Sequence, residues 1–411
     1  MNKTPKNLRL HIGIFGRRNA GKSSLLNTIT NQNISIVSNI PGTTTDPVEK
    51  AMELHLIGPV LFIDTAGIDD DQEPLGQLRI EKTQKILNRT DIALLVVDFN
   101  SWNDYEEKIL IQFQEKKIPY IVILNKADQG TIDTALVQSL QERNIPYIAF
   151  SCVTKQGLPE LQALLLQYTP SEYFEIKKLT ADLVQANETA ILVIPIDKEA
   201  PKGRLILPQV QTIRDILDIP ANCVITTPEQ LPQTLDNLKT LPKVVITDSQ
   251  VFHEVALHTP NSIPLTSFSI LFANYKGDLT TQSIATLALN KLKDGDKILI
   301  AEACTHHPIA DDIGRVKIPK WIREKVNKEL IFESTQGHDF PNNLQEYKLI
   351  VHCGACMLNR KATLNRIYQA QQQNVPITNY GLIIAALHGI LERTLTPFPD
   401  VLQQYQFAKN T

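Results

Sequence analysis

Short apolar runs alternate with amphipathic stretches along the first 170 residues. Five runs are typical of buried strands: 9–15, 60–64, 92–98, 119–125 and 147–150. Helix-compatible stretches separate most of them: 74–89, 104–116, 131–143 and 157–167. This alternation predicts a doubly wound α/β sheet, with a boundary where the pattern ends near residues 168–171.

The same alternation returns twice. Residues 175–265 hold three candidate strands (190–195, 223–226 and 243–247) and two candidate helices (208–218 and 229–239). Residues 266–411 hold three more strands (297–302, 347–352 and 374–378) and three helices (318–327, 359–372 and 381–392). The pattern predicts three α/β domains, at 1–170, 175–265 and 266–411.

Composition narrows the class of protein. The 411 residues carry a net charge of −3, whereas a general nucleic-acid binder is normally basic. No apolar run approaches the ~18–20 residues of a membrane span, and the first residues lead directly into a strand without a cleavage-site pattern. Five cysteines are too few for a disulfide framework in a chain this long. We therefore expect a reduced, cytoplasmic protein that binds neither nucleic acid nor membrane.

Residues 16–23 read G-R-R-N-A-G-K-S, a full match to the phosphate-binding P-loop between a strand and a helix. Its glycines let backbone N–H groups surround the phosphates. Lys22 supplies positive charge to them, and Ser23 offers a hydroxyl to Mg²⁺. The motif predicts a nucleoside triphosphate site.

Three later motifs indicate that the nucleotide is GTP. D-T-A-G at 64–67 ends a strand, so that Asp64 can hold Mg²⁺ and Gly67 can meet the γ-phosphate. N-K-A-D at 125–128 places Asp128 to accept guanine hydrogens that adenine lacks. S-C-V at 151–153 suits a backbone contact to the guanine oxygen. Thirteen residues in and beside these motifs are expected at the GTP site: Gly16, Ala20, Gly21, Lys22, Ser23, Ser24, Asp64, Gly67, Asn125, Lys126, Asp128, Ser151 and Cys152.

These motifs resemble the translation-factor-like P-loop GTPases, in the branch of the tRNA-modifying and ribosome-assembly GTPases. The resemblance makes residues 41–46 (P-G-T-T-T-D) switch I, with Thr44 rather than Thr43 as the expected Mg²⁺ ligand. It places Asn19 where potassium-activated members bind K⁺; the alternative for Asn19 is a loop-capping amide. Residue 68 is Ile where Ras-like proteins have a water-orienting Gln, so intrinsic hydrolysis should be slow. The resemblance also adds Asn19, Thr43 and Thr44 to the GTP site. The residues expected to act in hydrolysis are Lys22, Asn19, Thr44 and Gly67.

A second site is predicted near the end of the chain, where three cysteines occur in C-T-H at 304–306 and H-C-G-A-C at 352–356. Cys304 and Cys353 each follow a predicted parallel strand, and open α/β sheets bind ligands at that edge. Three thiolates suit a 4Fe–4S cluster with a replaceable fourth ligand. Zinc on three cysteines and a histidine, a redox C-x-x-C pair, and buried structural cysteines are the alternatives.

Together, the GTPase motifs and C-x-H … H-C-x-x-C resemble the FeFe-hydrogenase maturation GTPases over essentially the whole chain. The resemblance implies a GTPase domain, a middle dimerisation domain and a cluster domain. It makes Cys304, Cys353 and Cys356 the 4Fe–4S ligands, with His306 and His352 as fourth ligands or supporting donors. It also implies a homodimer that carries the diiron precursor, is loaded by two radical-SAM maturases, and delivers to apo FeFe-hydrogenase.

Two other functions fit part of the pattern. An RNA-modifying or ribosome-assembly GTPase fits the first domain, but would normally carry a basic RNA-binding region that this chain lacks. A GTP-gated zinc or redox sensor fits the cysteines. The maturation scaffold explains both halves of the sequence.

Overall fold

The computed structural model describes residues 4–30, 47–54, 56–65, 75–99, 101–174, 179–180, 182–196, 205–303 and 312–411. Contacts within the chain divide it into two compact units, Met1–Ile176 and Lys177–Thr411. Each unit is an α/β structure built on its own sheets. Among the described residues, no helix combines the length and the apolar character needed to cross a bilayer.

The first unit is built on one six-stranded sheet in the order β2-β3-β1-β4-β5-β6, parallel except for the β2–β3 pair. Its strands are β1 (Leu10–Phe15), β2 (Val48–Leu54), β3 (Gly58–Asp64), β4 (Ile92–Asp98), β5 (Tyr120–Asn125) and β6 (Tyr147–Ala149). Its helices are α1 (Lys22–Thr30), α2 (Leu75–Leu87), α3 (Asp104–Glu115), α4 (Thr134–Glu142), α5 (Leu158–Tyr168) and α6 (Ser171–Phe174).

The central strands of this sheet are buried on both faces. Alternate residues of β4 enter different cores, since Leu94 packs with α1 and α5 residues on one side and Leu95 with α3 residues on the other. This explains why the sequence shows continuous apolar runs there rather than alternation. The predicted doubly wound sheet is confirmed, with one additional strand. β2 is a half-exposed edge strand of sequence V-E-K-A-M-E-L, which has no continuous apolar run.

The second unit contains two four-stranded parallel sheets, in the orders β10-β9-β7-β8 and β12-β11-β13-β14. Its strands are β7 (Thr189–Val193), β8 (Asn222–Thr226), β9 (Val244–Thr247), β10 (Leu265–Ser267), β11 (Lys297–Ala301), β12 (Ile331–Thr335), β13 (Tyr347–His352) and β14 (Ile377–Asn379). Its helices are α7 (Leu207–Asp218), α8 (Leu231–Asp236), α9 (Phe252–His258), α10 (Phe268–Lys276), α11 (Leu279–Ala285), α12 (Ile318–Val326), α13 (Arg360–Gln372), α14 (Tyr380–Leu387), α15 (Leu391–Leu395) and α16 (Pro399–Asn410).

One continuous apolar core lies under both sheets of this unit. It includes Ile191 and Ile246 from the first sheet and Ile300 and Val351 from the second. The strand β10, at 265–267, pairs with β9 in the first sheet. The predicted division at residues 265 and 266 therefore passes through a compact unit, and the three-domain boundaries stay a prediction.

Candidate functional site

The P-loop follows β1 and leads into α1. Gly16 has φ +143° and Gly21 has φ +97°, a backbone region that side chains disfavour. A Cβ on Gly16 would collide with the carbonyl oxygen of Val96, and one on Gly21 with the side-chain amide of Asn125. Both glycines of the motif are therefore required by local geometry.

Lys22 begins α1 with its side chain buried in the loop. Its Nζ donates to the carbonyl oxygens of Gly16, at 2.8 Å, and Arg17, at 2.6 Å. These carbonyl oxygens hold the ammonium inside the P-loop, where it can bind a phosphate oxygen.

Ser23 and Asp64 come together from α1 and the end of β3. The Ser23 Oγ donates to Asp64 Oδ2 at 2.8 Å. The other carboxylate oxygen, Oδ1, is buried and has no hydrogen-bond partner among the described residues. Burial raises the pKa of Asp64, while the Ser23 hydrogen bond and the Lys22 charge act to lower it. A buried carboxylate oxygen without a partner, beside a hydroxyl, fits a hard cation such as Mg²⁺.

Asn125, at the end of β5, connects the phosphate and base ends of the site. Its Nδ2 donates to the carbonyl oxygen of Ala20 in the P-loop at 2.8 Å. Its Oδ1 accepts from the Cys152 thiol, with Sγ and Oδ1 3.4 Å apart. The N-K-A-D and S-C-V motifs are therefore joined to the P-loop through one buried amide.

Two more contacts shape the base end. The Ser151 Oγ donates to Asp128 Oδ1 at 2.6 Å, and so fixes one oxygen of that carboxylate. Lys126 has φ +64°, and its Nζ lies 2.6 Å from Asp98 Oδ2 at the end of β4. The predicted guanine residues thus lie together at the carboxyl ends of β4, β5 and β6, as expected for a parallel sheet.

These residues surround a cleft of about 920 Å³. Its lining is Arg18, Asn19, Gly21, Lys22, Ser23, Ser24, Pro47, Val48, Glu49, Asp64, Thr65, Asn125, Lys126, Asp128, Gln129, Cys152 and Val153. Asn19 is exposed there with φ +62°, and its side chain makes no hydrogen bond to the described residues. Thr43, Thr44, Gly67 and Ile68 lie outside the described residues.

Two hydrogen bonds join the P-loop to α3, and the nucleotide-binding motifs do not predict them. Arg17 forms two hydrogen bonds to the buried Glu106 of α3, Nε to Oε1 and Nη2 to Oε2, both 3.0 Å. Glu106 also accepts from the backbone N–H of Asn103 and so completes the cap of α3. The sequence signal for this arrangement is the helix-capping pattern N-D-Y-E at 103–106, which predicts the bond between Glu106 and Asn103.

The cysteine site lies at the carboxyl ends of β11 and β13, which are neighbours in one parallel sheet with Ala301 beside His352. The Cys353 N–H donates to the Ala301 carbonyl oxygen at 3.0 Å, and the Ala303 N–H donates to the Cys353 sulfur at 3.1 Å. Although Cys353 keeps some exposed surface, burial raises the pKa of its thiol to about 11, with a further contribution from the nearby Cys356. A cysteine must lose its proton to ligate a metal, and a bound cation offsets the cost of burying the resulting thiolate.

The loop from Cys353 to Leu358 carries Cys356 back toward the same edge. Ala355 has φ +53°, a conformation uncommon for a residue other than glycine. The Lys276 Nζ, from the end of α10, donates to the carbonyl oxygens of Leu358 at 2.9 Å, Cys356 at 3.3 Å and Ala355 at 3.4 Å. Nothing in the cysteine motif points to this lysine, because it is 77 residues earlier in the chain than Cys353.

His352 is buried with hydrogen bonds at both ring nitrogens. Its Nδ1 donates to the Cys353 carbonyl oxygen at 2.8 Å, and its Nε2 accepts from Arg366 at 2.9 Å. Burial, and then the Arg366 charge, lowers its pKa to about 3, so the ring is neutral. In this arrangement His352 supports the cysteine loop and leaves no ring nitrogen for a metal.

Cys304 and His306 lie outside the described residues. Within the described part of the chain, no three His, Cys, Asp or Glu side chains converge as a metal site. The HEVALH stretch forms α9, and its His253 stacks near His388 with ring centroids 5.4 Å apart. Its two histidines, His253 and His258, are five positions apart and so do not match the zinc pattern, which needs a spacing of four.

Three family models match the chain. The model "Hydrogen maturase F dimerization domain" matches residues 179–277, and "Hydrogen maturase F tetramerization domain" matches residues 280–397. The model "50S ribosome-binding GTPase" matches residues 11–126. The first unit thus contains a GTPase domain, and the second carries two oligomerisation domains.

Curated GTPases resemble part of this chain. A tRNA modification GTPase MnmE from Synechococcus sp. (strain JA-3-3Ab) is 34% identical over 38% of this chain and 33% of its own length. GTPase Era from Crocosphaera subtropica is 33% identical over 42% of this chain and 56% of its own length. The chain therefore spans about a third to a half of the length of these relatives.

Among solved structures, a point variant of Era from Aquifex aeolicus bound to GDP.AlF4- is 20% identical, with a TM-score of 0.35 over 53% of this chain and 93% of that one. The G domain of the T. maritima FeoB iron transporter is 23% identical, with a TM-score of 0.32 over 39% of this chain and 99% of that one. Scores of this size do not establish a shared overall fold. The two hydrogen maturase F models, which lie in sequence behind a GTPase domain and span most of the second unit, show that this chain belongs to the hydrogen maturase F family.

Proposed function

We propose that this protein is a GTP-hydrolysing scaffold and carrier of FeFe-hydrogenase maturation. It holds a 4Fe–4S cluster on Cys304, Cys353 and Cys356, and assembles or delivers the diiron precursor to apo FeFe-hydrogenase. The observation that supports this best is the 3.1 Å hydrogen bond from the Ala303 N–H to the Cys353 sulfur. It places the position before Cys304 against the first cysteine of the C-x-x-C pair.

The nucleotide half acts as the control element. Lys22 holds the phosphates, while Ser23 and Asp64 hold Mg²⁺, with Thr44, or Thr43, as the further metal ligand from switch I. Asp128, Ser151 and Cys152 select guanine. Gly67 meets the γ-phosphate. With Ile68 unable to orient water, hydrolysis is slow, and K⁺ at Asn19 supplies charge beside the phosphates.

The cluster half acts as the carrier. Thiolates are the ligands that iron–sulfur clusters require, and amide N–H···S bonds such as that of Ala303 are the kind of contact that tunes them. The fourth position is taken by His306 or by an exchangeable ligand, because both nitrogens of His352 are occupied. We further propose that the protein is a cytoplasmic homodimer, loaded by two radical-SAM maturases, that binds no nucleic acid.

Anaerobic reconstitution tests the cluster. Wild-type protein should bind about four irons and give the absorption and EPR signals of a 4Fe–4S cluster. Cys304→Ala, Cys353→Ala and Cys356→Ala should each lose stable iron and keep GTP turnover. Cys223→Ala is the matched control, since Cys223 lies on β8 in the other sheet and should change neither.

Two results would reject this function. Stoichiometric zinc without a cluster signal would favour a zinc or redox sensor. Tight RNA binding that survives high salt would favour an RNA-modifying GTPase, because nonspecific phosphate contacts weaken steeply with salt.

A further inference from the structure

A buried lysine faces the cysteine loop. Lys276 is the last residue of α10 and is 1% exposed. Its Nζ donates to three carbonyl oxygens of one short loop, those of Ala355, Cys356 and Leu358, at 3.4, 3.3 and 2.9 Å. All three donors of the ammonium are thus directed to the segment that contains the C-x-x-C pair.

The charge of Lys276 is not balanced by a carboxylate in the part of the chain that the structure describes, where no Asp or Glu oxygen lies within 4.0 Å of it. A favourable contact with the Phe272 ring, 5.2 Å from its centroid, and the carboxyl end of α10 offset only part of the cost of burying an ammonium. Cys356 and Cys353 lie close enough to Lys276 for their thiolates, once formed, to stabilise the ammonium. A buried cation facing two cysteines is stabilised when those cysteines are ionised, which is their state as metal ligands.

The same bonds hold the shape of the loop. Ala355 has a φ of +53°. This conformation costs free energy and persists only where the surrounding contacts hold the backbone in place. The Leu358 N–H donates to the Ala355 carbonyl at 3.1 Å, and Asn359 then caps α13 by accepting from the Ala362 N–H. Lys276 joins both ends of this turn, since it contacts residues 355 and 358. A neutral donor would satisfy those carbonyls at lower desolvation cost, so carbonyl bonding alone does not explain a charged residue here.

We propose that Lys276 is a positioning residue of the cluster site, and that it is the buried counter-charge that stabilises the cluster-bound thiolates and raises the cluster's reduction potential. The inference rests on the proposed cluster-binding function. Reduction adds one negative charge to the cluster, and a fixed positive charge close by favours that step. The lysine thereby couples the packing of α10 to how readily the cluster takes an electron.

The test uses full-length protein reconstituted anaerobically, with EPR-monitored redox titration, iron analysis and thermal unfolding of the apo protein. Lys276→Met keeps the length of the side chain but removes its charge and donors. We expect the ratio of reduced to oxidised cluster at a given potential to fall about tenfold, a shift of about 59 mV for a one-electron couple. Lys276→Arg retains charge and donors and should restore most of the wild-type potential. Lys297→Met is the matched control, because Lys297 pairs with Glu333 and Glu346 at the opposite end of β11.

Each outcome decides one question. Absence of a cluster in wild-type protein would reject the proposed function itself. A cluster in Lys276→Met with the wild-type potential would overturn the role of Lys276. If Lys276→Met retains no iron, then iron retained by Lys276→Arg supports the counter-charge, while iron lost from both, in apo proteins that melt like wild type, shows that shape alone matters and overturns it.

Discussion

Asn125 joins the phosphate and base ends of the nucleotide cleft, and its removal should break that connection. It is 2% exposed, donates to the Ala20 carbonyl at 2.8 Å, and accepts from the Cys152 thiol at 3.4 Å. Asn125→Ala removes both bonds and leaves the Ala20 carbonyl without this partner. It also opens space beside Gly21, whose Cα faces the Asn125 amide.

The size of the effect follows from the burial of that carbonyl. Losing a partner of a buried polar group costs about 1–3 kcal/mol, which corresponds to roughly 5–150-fold in an equilibrium constant. Because this bond joins β5 to the P-loop within the fold, part of the loss lowers the stability of the protein itself. The remainder is the cost of ordering the P-loop around phosphate, and we expect the Kd for GDP to rise roughly tenfold, mainly through faster dissociation.

A fluorescent GDP analogue measures this, by equilibrium titration and by chase with unlabelled GDP. Cys152→Ala is the control, since it removes only the weaker sulfur hydrogen bond and should change the Kd less than about threefold. A Kd for Asn125→Ala within twofold of wild type, in protein with normal secondary structure, would show that this amide does not organise the P-loop.

Three further predictions concern single groups of the first unit. Asp64→Asn removes a buried charge, so GTP turnover in Mg²⁺ should fall at least about tenfold while the apo protein melts no lower than wild type; unchanged turnover would remove Asp64 from the metal site. Burial lowers the pKa of His11 from 6.5 to about 4, so the folded state favours the neutral ring. The free energy of unfolding therefore keeps its full value above pH 6.5 and falls by up to about 3 kcal/mol as the pH drops toward 4. In urea unfolding between pH 7 and 4.5, the free energy of unfolding should fall less steeply with pH in His11→Gln than in wild type. An equal dependence on pH in both proteins would exclude His11 as the cause. GTP turnover should be faster in KCl than in NaCl, and Asn19→Ala should abolish the difference; equal rates in both salts would refute a K⁺ site.

The sequence predicts the parts of the fold that local patterns encode. β1, β4 and β5 are buried on both faces, so each is a continuous apolar run that needs no partner to be recognised. The edge strands β2 and β12 are different. Each is half-exposed and mixed in composition, and is held by pairing with one neighbour, which a local pattern does not contain.

The candidate site divides in the same way. The P-loop and guanine residues are predictable because each motif directly follows a strand, and the sheet brings those strand ends together. Lys276 and Arg366 are not predictable, since in the sequence each is an ordinary basic residue of a helix. Only packing shows that Lys276 reaches the cysteine loop and that Arg366 bonds His352, and the second contact changes His352 from a possible ligand into a buried support.

The shared core of the second unit has a consequence for how the protein can be divided. Ile191 and Ile246 pack in the same core as Ile300 and Val351, so the two sheets share one buried core. Heat or denaturant should therefore melt residues 177–411 in one cooperative transition. A fragment that ends at residue 265 would expose an apolar face and lose most of β10. The two oligomerisation domains match separate family models, but we expect them to unfold together, so that a mutation that destabilises one also destabilises the other.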